Sequence, residues 1–239
     1  MHDLEFKTGK IRAFECYREA WQMIKPQFGM ILIISLVGML IGGVFSIVMG
    51  AMLCGIYLVL FDVQEGRTIK FERLFKGFQF FLPAFLVWLL FVLPIVVMIV
   101  IVYIPMIGIA LAGERMDESE VMTFVIGALF VEVVFAIFMV CFHTLLLFAF
   151  PLIVDKRLSA AKAVKLSAKA VWQNLSGVAS LFGVGFLVSL AGMLLFCVGI
   201  YLTIPLILAS TVVAYRKVFP GQIETAFPGP PPPSSYKGL

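Results

Sequence analysis

Two ionisable residues, Glu132 and His143, lie well inside an apolar run of the sequence. They are separated by close to three helical turns, so a helix would carry them on one face about 16 Å apart along its axis. A carboxylate and an imidazole at membrane depth can relay protons or cations. The alternative is structural, with Glu132 neutral or hydrogen-bonded to another helix and His143 close to the membrane interface. Because two isolated groups do not make a pathway, the sequence favours the structural interpretation.

The sequence contains no motif for catalysis. It has no phosphate-binding loop, nucleophile elbow, HExxH zinc motif, paired acidic site or dinucleotide fingerprint. Its four cysteines are scattered and form neither a Cys-x-x-Cys pair nor a Cys/His cluster. We therefore expect that the chain is not an enzyme and uses no metal or other cofactor.

The composition is that of a membrane protein. Hydrophobic residues make up 62% of the 239 positions and charged residues 13%, and the mean hydropathy is +1.08. A soluble domain carries about 25% charged residues, and a soluble fold of this size could not bury so much apolar surface. We therefore expect lipid to surround most of the chain and the fold to be all-α.

Four apolar runs set the number of membrane spans, because one spanning helix needs about 20 apolar residues. Residues 28–62 and 177–215 are each long enough for two spans joined by a tight turn, and the second turn falls near residues 197–199. Residues 80–112 and 121–150 supply one span each. The sequence therefore predicts six transmembrane helices arranged as three hairpins.

The basic residues are strongly segregated. With six spans, 17 of the 18 Lys and Arg residues lie on one side, and only Arg115 lies on the other. Lys and Arg are enriched in cytoplasmic loops. We expect a bacterial cytoplasmic (inner) membrane protein with both termini in the cytoplasm.

Each hairpin is preceded by a segment in which apolar residues recur at spacings of three and four, as in an amphipathic helix lying in the interface. Each segment ends in an aromatic residue and a Gln, with a helix breaker four residues after the Gln. The Gln can cap freed backbone groups, and the breaker allows a bend into the membrane. The three copies of this interfacial motif are Trp21, Gln22 and Pro26, then Phe78, Gln79 and Pro83, then Trp172, Gln173 and Gly177.

The recurrence of this motif favours a threefold internal repeat over a coincidence of common interfacial residues. The three units cover about residues 8–64, 68–150 and 158–218. Together they form a single polytopic membrane domain over residues 1–220. Residues 221–239 are predicted to be a Pro-rich disordered cytoplasmic tail, with a docking strand for a partner as the alternative.

The expected partners are lipid and other membrane proteins, and no nucleic acid. Lys162, Lys165 and Lys169 form one stripe that should contact anionic headgroups, at about 1 kcal/mol per basic residue near the surface. Small residues repeat along the first span, at Gly38, Gly42, Ser46 and Gly50. Such a face allows close helix packing, within the chain or between subunits.

Two stretches resemble a known group of proteins. One runs from Phe150-Pro151-Leu152-Ile153-Val154-Asp155-Lys156-Arg157-Leu158-Ser159 through Ser167 to Trp172 and Asn174, and the other joins Gly55-Ile56-Tyr57 to residues 71–78. Both are similar to segments of a broad family of uncharacterised six-helix bacterial membrane proteins, related to the membrane domain found beside some glycerophosphodiester phosphodiesterases. The resemblance spans the chain except for its tail. It implies an architecture and supplies no catalytic residue.

Two functions compete. The leading hypothesis is a non-catalytic scaffold or accessory subunit of a membrane complex, favoured by the absence of catalytic motifs, the packing stripes and the Pro-rich tail. The alternative is a small transporter or channel for a lipid-like or small solute. That alternative is favoured by Glu132 and by Pro83, Pro94 and Pro105, which should kink the third span repeatedly on nearly one face.

Overall fold

The chain is helical throughout the part that the computed structural model describes, residues 6–112, 117–194 and 198–220, and that part contains no strand. The α-helices are α1 Ala13–Ile24, α2 Phe28–Val44, α3 Met49–Gln64, α4 Phe81–Met98, α5 Ile104–Ala112, α6 Glu118–Leu145, α7 Ala149–Lys156, α8 Ala160–Gln173, α9 Leu175–Leu194 and α10 Val198–Val218. Between them lie 3-10 segments at Lys25–Gln27, Ser46–Val48 and Phe71–Phe80 and a π-turn at Ile99–Tyr103.

Six helical segments of the described chain are long and apolar enough to cross a membrane, which confirms an all-α, multi-pass membrane protein. We number them span 1 to span 6 in chain order. They are Ala13–Val44, Ser46–Gln64, Phe71–Gly108, Glu118–Lys156, Leu175–Leu194 and Gly199–Val218. Spans 1 and 2 separate at residues 45–48, inside the run predicted to hold two spans. The predicted turn at Cys197, the lone basic residue Arg115 and the tail 221–239 lie outside the described residues.

Span 4 is interrupted where the sequence predicted a continuous helix. The helix leaves α geometry at residues 146–148, because Pro151 has no N–H and its ring would clash with the Leu147 carbonyl. Ser167 of α8 compensates for the break. Its hydroxyl donates to the Leu145 carbonyl (2.7 Å) and accepts from the Phe148 N–H (3.0 Å). The interruption is thereby stabilised by an element from the following hairpin.

Span 3 contains the three prolines at different kinds of position. Pro83 lies in the first turn of α4, where a missing N–H costs little. Pro94 lies inside α4. Pro105 is the second residue after the π-turn, and the wider turn accommodates a ring that would otherwise meet the Ile101 carbonyl.

The segments that carry the basic residues meet at one end of the molecule, which we call the basic end. Gly9 N–H donates to Asn174 Oδ1 (2.8 Å), and Ile69 N–H donates to Gln27 Oε1 (3.3 Å). Here α1 packs against α10, the 3-10 helix Phe71–Phe80 packs against α3, and α8 packs against α7. Each of these helices therefore contacts the last span of another hairpin.

Small residues bring these backbones together. A Cβ on Gly77 would overlap the Ala51 carbonyl, and one on Gly55 would overlap the Leu74 carbonyl, so the 3-10 helix lies directly on α3. A Cβ on Gly38 would come within 3.1 Å of Ile56, and one on Gly42 within 2.9 Å of the Met49 Cα. Gly50 belongs to α3 rather than to span 1 and faces Ala84. The predicted stripe is thus divided between two helices, and its glycines are used for packing within the chain.

Burial divides the molecule into two parts. Span 2 is the innermost helix, because 72% of the residues in its most apolar stretch are buried. In span 6 the buried fraction of that stretch is 50%. In span 3 the fraction is 11%, and in span 4 none of the stretch is buried. We call the assembly around α3 and α10 the body, and spans 3 and 4 from Leu89 to Val140 the outer hairpin.

Candidate functional site

Glu132 and His143 both lie on α6, as the sequence predicted, and both contact span 3. Glu132 Oε1 accepts a hydrogen bond from the Tyr103 hydroxyl at 3.2 Å. His143 Nε2 lies 3.2 Å from the Phe91 carbonyl, and its ring stacks on the Phe91 ring at a centroid distance of 4.7 Å. The two polar side chains therefore join span 4 to span 3 at two separate heights.

The structure does not bring Glu132 and His143 together. Their partners, Tyr103 and Phe91, are twelve positions apart on span 3. Neither residue lines the cleft at the basic end or the groove between spans 5 and 6 described below. This geometry agrees with hydrogen bonding between helices.

The three copies of the interfacial motif take similar places. Each aromatic and Gln is exposed near the end of a helix, and each breaker stands in or just before the first turn of the next. Gln22, Gln79 and Gln173 have exposed side chains, and their capping of freed backbone groups stays a prediction. Two nearby side chains do bind backbone groups at the basic end. Gln27 accepts a hydrogen bond from the Ile69 N–H, and Asn174 accepts one from the Gly9 N–H.

The Lys162, Lys165 and Lys169 side chains are exposed on α8. Lys169 Nζ also lies 5.8 Å from the centre of the Phe6 ring, a distance at which the cation is attracted to the ring face. The stripe is therefore accessible at the basic end, with one of its members resting on the N-terminal segment.

A cluster of charged and polar groups joins the ends of spans 2, 4 and 6. Asp155 lies at its centre, accepting from the Tyr215 hydroxyl (2.7 Å) and pairing with Arg216 Nη1 (2.8 Å) and Lys156 Nζ (3.3 Å). Arg216 Nε donates to Gln64 Oε1 (3.3 Å), and its guanidinium lies 4.6 Å from the Phe61 ring centre. The Asp155 and Arg216 side chains are 13% and 20% exposed, so this ion pair is largely shielded from water.

A second ion pair extends this cluster on the 3-10 side. Arg73 Nε lies 2.6 Å from Asp62 Oδ2, and Arg67 Nη1 lies 2.9 Å from Asp62 Oδ1. Arg73 comes from the 3-10 helix and Asp62 from α3. The pair therefore joins the 3-10 helix to the end of span 2.

A cleft of about 760 Å³ opens at the basic end between the N-terminal segment, α1 and the ends of α3 and α10. Its lining contains five basic and two acidic residues, and the rest consists of Gly9, Gln64 and the apolar side chains of Met23, Val213 and Pro220. The charged members are Lys7, Lys10, Arg12, Arg216, Lys217, Glu15 and Glu19. This basic cleft is a large, charged, concave feature of the described residues.

A second, smaller groove of about 250 Å³ lies between spans 5 and 6 beside α1. Its wall is apolar except for hydroxyl groups contributed by α1, α9 and α10. The hydroxyls belong to Tyr17, Ser189, Ser210 and Thr211. No grouping of three His, Cys, Asp or Glu side chains suited to a metal ion occurs in residues 6–112, 117–194 and 198–220.

Sequence reasoning missed the residues that organise the basic end. Asp155 and Asn174 were named only as part of the family resemblance. Tyr215 was treated as the end of the last apolar run, and Arg216 only as one of the basic residues on one side of the membrane. One signal was available: Asp62, Asp155 and Arg216 each follow an apolar run at the end of an even-numbered span. Their pairing could not be read from this pattern, because it depends on which span ends meet.

Comparison of the chain with protein-family models, with curated proteins and with solved structures finds no match.

Proposed function

We propose that this protein is a non-catalytic integral membrane protein that acts as a partner-binding or scaffold subunit of a membrane complex. The observation that carries the proposal is the outer hairpin. Span 4 has none of its most apolar stretch buried within the chain, although the body beside it is closely packed. A hairpin held to the body mainly at one end leaves two long helix faces for lipid or for the helices of a partner.

The polar groups of the outer hairpin favour a protein partner over lipid alone. Glu132 is only half-buried, Tyr103 is 39% exposed, and their one hydrogen bond leaves most of the acceptor capacity of the carboxyl group unused. Ionisable groups at membrane depth usually face protein or water rather than hydrocarbon. A partner helix with a hydrogen-bond donor at this depth would satisfy Glu132.

The alternative, a small transporter or channel for a lipid-like or small solute, rests on the π-turn and on Glu132. π-turns are frequent at functional sites, and this one ends at Tyr103, the partner of Glu132. The separation of Glu132 from His143, whose partners lie twelve positions apart on span 3, weighs against this alternative. We therefore place it second.

The architecture that we propose is a threefold repeat of an interfacial helix and a hairpin, in the family that the sequence resembles. The packing of α1, the Phe71–Phe80 helix and α8 supports it, because each lies on the last span of another unit and α1 closes the series against α10. Exposed aromatic residues on these helices, among them Phe14, Phe78 and Trp172, support contact with lipid headgroups.

We propose that the basic end faces the cytoplasm of a bacterium, with the protein in the inner membrane and both termini inside. The positive-inside rule supports this orientation. The exposed stripe Lys162, Lys165 and Lys169 is then positioned to contact anionic headgroups. The tail, residues 221–239, is a second surface for a partner.

The experiment compares partner retention and flux in the same variants. Proteins that co-purify with the full chain in mild detergent are quantified for the wild type, for the pair Phe130→Ala and Phe138→Ala on the outer hairpin, and for a deletion of residues 227–239. Leu187→Ala on span 5 is the control, because Leu187 is 58% exposed while Phe130 and Phe138 are 70% and 52% exposed. We expect the hairpin pair and the deletion to reduce retention at least threefold and the control to leave it unchanged.

The competing function is tested with Glu132→Gln and His143→Ala. As a scaffold, the protein should tolerate both with little loss of assembly, because the glutamine oxygen that replaces the carboxylate can still accept a hydrogen bond from a partner helix. Flux into proteoliposomes that disappears with Glu132→Gln and survives the tail deletion would show that the transporter hypothesis is the better one.

A further inference from the structure

The basic cleft is built by a segment that the rest of the chain holds in place. Lys7 N–H donates to the Val218 carbonyl (2.8 Å), and Asn174 Nδ2 donates to the Lys7 carbonyl (3.4 Å). Gly9 has a φ of +70°, which glycine adopts without strain, and its N–H bonds Asn174 Oδ1. These bonds anchor residues 7–12 over the ends of span 6 and α8. The cleft is therefore a formed feature of the fold rather than a gap beside a loose terminus.

The acidic residues of the cleft are already neutralised by basic ones. Glu19 Oε1 lies 2.9 Å from Lys217 Nζ, and Glu15 Oε1 lies 3.1 Å from Arg12 Nη1. Arg216 points to Asp155 behind the wall. With five basic and two acidic side chains in the lining, and with the charge of Arg216 met by Asp155, the cleft keeps a net positive charge.

Two basic side chains at the mouth of the cleft have hydrogen-bond donors available for a ligand. Arg12 has a side chain that is 77% exposed and uses Nη1 for Glu15, so Nε and Nη2 remain for a ligand. Lys10 is exposed on the rim of the cleft. Guanidinium and ammonium groups are the usual ligands of phosphate, the first as a fork and the second as a point charge.

We propose that the basic cleft binds a phosphate-bearing ligand, with Lys10 and Arg12 contacting the phosphate. Its volume of about 760 Å³ is within the range of roughly 300–1,000 Å³ found for small-molecule sites. The same chemistry would take the headgroup of an anionic lipid such as phosphatidic acid or a soluble phosphate ester from the aqueous side. This site differs from the stripe Lys162, Lys165 and Lys169 and does not depend on the proposed scaffold role.

The test measures binding to the purified full chain in nanodiscs of phosphatidylcholine, without any partner protein. One arm titrates pyrophosphate by calorimetry, and the other adds phosphatidic acid to the nanodiscs and counts bound lipid by native mass spectrometry. The double variant Lys10→Glu and Arg12→Glu is compared with the double variant Lys162→Glu and Lys165→Glu. Both variants change the net charge by the same amount at the same end of the molecule. Both pairs are exposed, and unfolding midpoints confirm that the variants are folded.

We expect saturable binding of at least one probe, lowered tenfold or more by the cleft variant and less than threefold by the α8 variant. Binding of pyrophosphate alone identifies a soluble phosphate ester as the ligand class, and binding of phosphatidic acid alone identifies a lipid headgroup. Equal losses in the two variants would show general attraction to a basic surface and overturn the proposal. Absence of saturable binding in both arms would overturn it as well.

Discussion

The outer hairpin is more apolar in sequence than the body but less buried, and the two parts differ in how their backbones meet. In the body, Gly55 and Gly77 bring the 3-10 helix into direct backbone contact with α3, and α3 is the most deeply buried span. On the outer hairpin, Gly127 of α6 has no atom within 4 Å of the position that a Cβ would take. Hydrophobicity alone therefore does not decide which helices pack.

The polar groups show the same contrast. Asp155 in the body has three partners from its own and neighbouring helices, whereas Glu132 on the outer hairpin has one. Helix association in a membrane has no hydrophobic driving force between helices and depends on close packing and hydrogen bonds. The body is therefore stabilised by contacts within the chain. The outer hairpin has polar groups and helix faces that can still contact another molecule.

The largest expected effect comes from adding a methyl group where two backbones touch. Gly77→Ala should lower the free energy of unfolding by more than about 3 kcal/mol, because the new Cβ overlaps backbone atoms of Ala51 and Gly55 that cannot rotate away. Unfolding by SDS in mixed micelles measures this loss. Gly127→Ala on the outer hairpin is the matched control and should change stability by less than about 1 kcal/mol. Similar losses for the two variants would contradict the division into body and hairpin.

A smaller effect is expected from breaking the shielded ion pair. Asp155→Asn should lower the free energy of unfolding by about 3 kcal/mol or somewhat less, because it leaves Arg216 without its closest carboxylate in a largely shielded place. The exposed pair of Arg12 and Glu15 supplies the control, and Glu15→Gln should cost less than about 1 kcal/mol. If Asp155→Asn cost no more than Glu15→Gln in the same SDS titration, the cluster would not be what holds spans 4 and 6 together.

The smallest effect is expected on the outer hairpin. Tyr103→Phe removes the hydrogen bond to Glu132 and should lower the free energy of unfolding by about 0.6 kcal/mol, the mean found for hydrogen bonds between membrane helices. The cost is small because the pair is partly open to its surroundings. A loss above about 2 kcal/mol, measured in the same micelles, would place this pair among the main contacts of the fold.

The sequence predicted the helices better than their interruptions. The run 28–62 divides into two spans as expected, at Phe45 and the short 3-10 segment that follows. The break in span 4 was missed, although Pro151 was visible, because a proline near the end of a predicted span is also compatible with a first-turn position. The boundary between spans 1 and 2 was also misplaced. Gly50 was assigned to a stripe on span 1, but it belongs to the first turn of α3.

The candidate sites were predicted only in part. Glu132 and His143 could be found because ionisable residues are rare in apolar runs, and a hydrogen bond to another helix was anticipated for Glu132. Tyr103 as its partner could not be identified, because that pairing depends on the height at which spans 3 and 4 meet. The basic cleft was not foreseen, since its walls come from the N-terminal segment, α1, α3 and α10.

The sequence by itself determined that the chain is a multi-pass membrane protein, that it has six apolar helical spans and that its basic residues are separated toward one end. These properties follow from composition, the length of apolar runs and the order of charges, which do not require knowledge of contacts. Only the tertiary structure decided that Gly9 meets Asn174, that Asp155 meets Arg216 and that spans 3 and 4 stand apart from the body. Such contacts join residues far apart in the chain, and in lipid they form where small side chains and paired polar groups let two backbones approach.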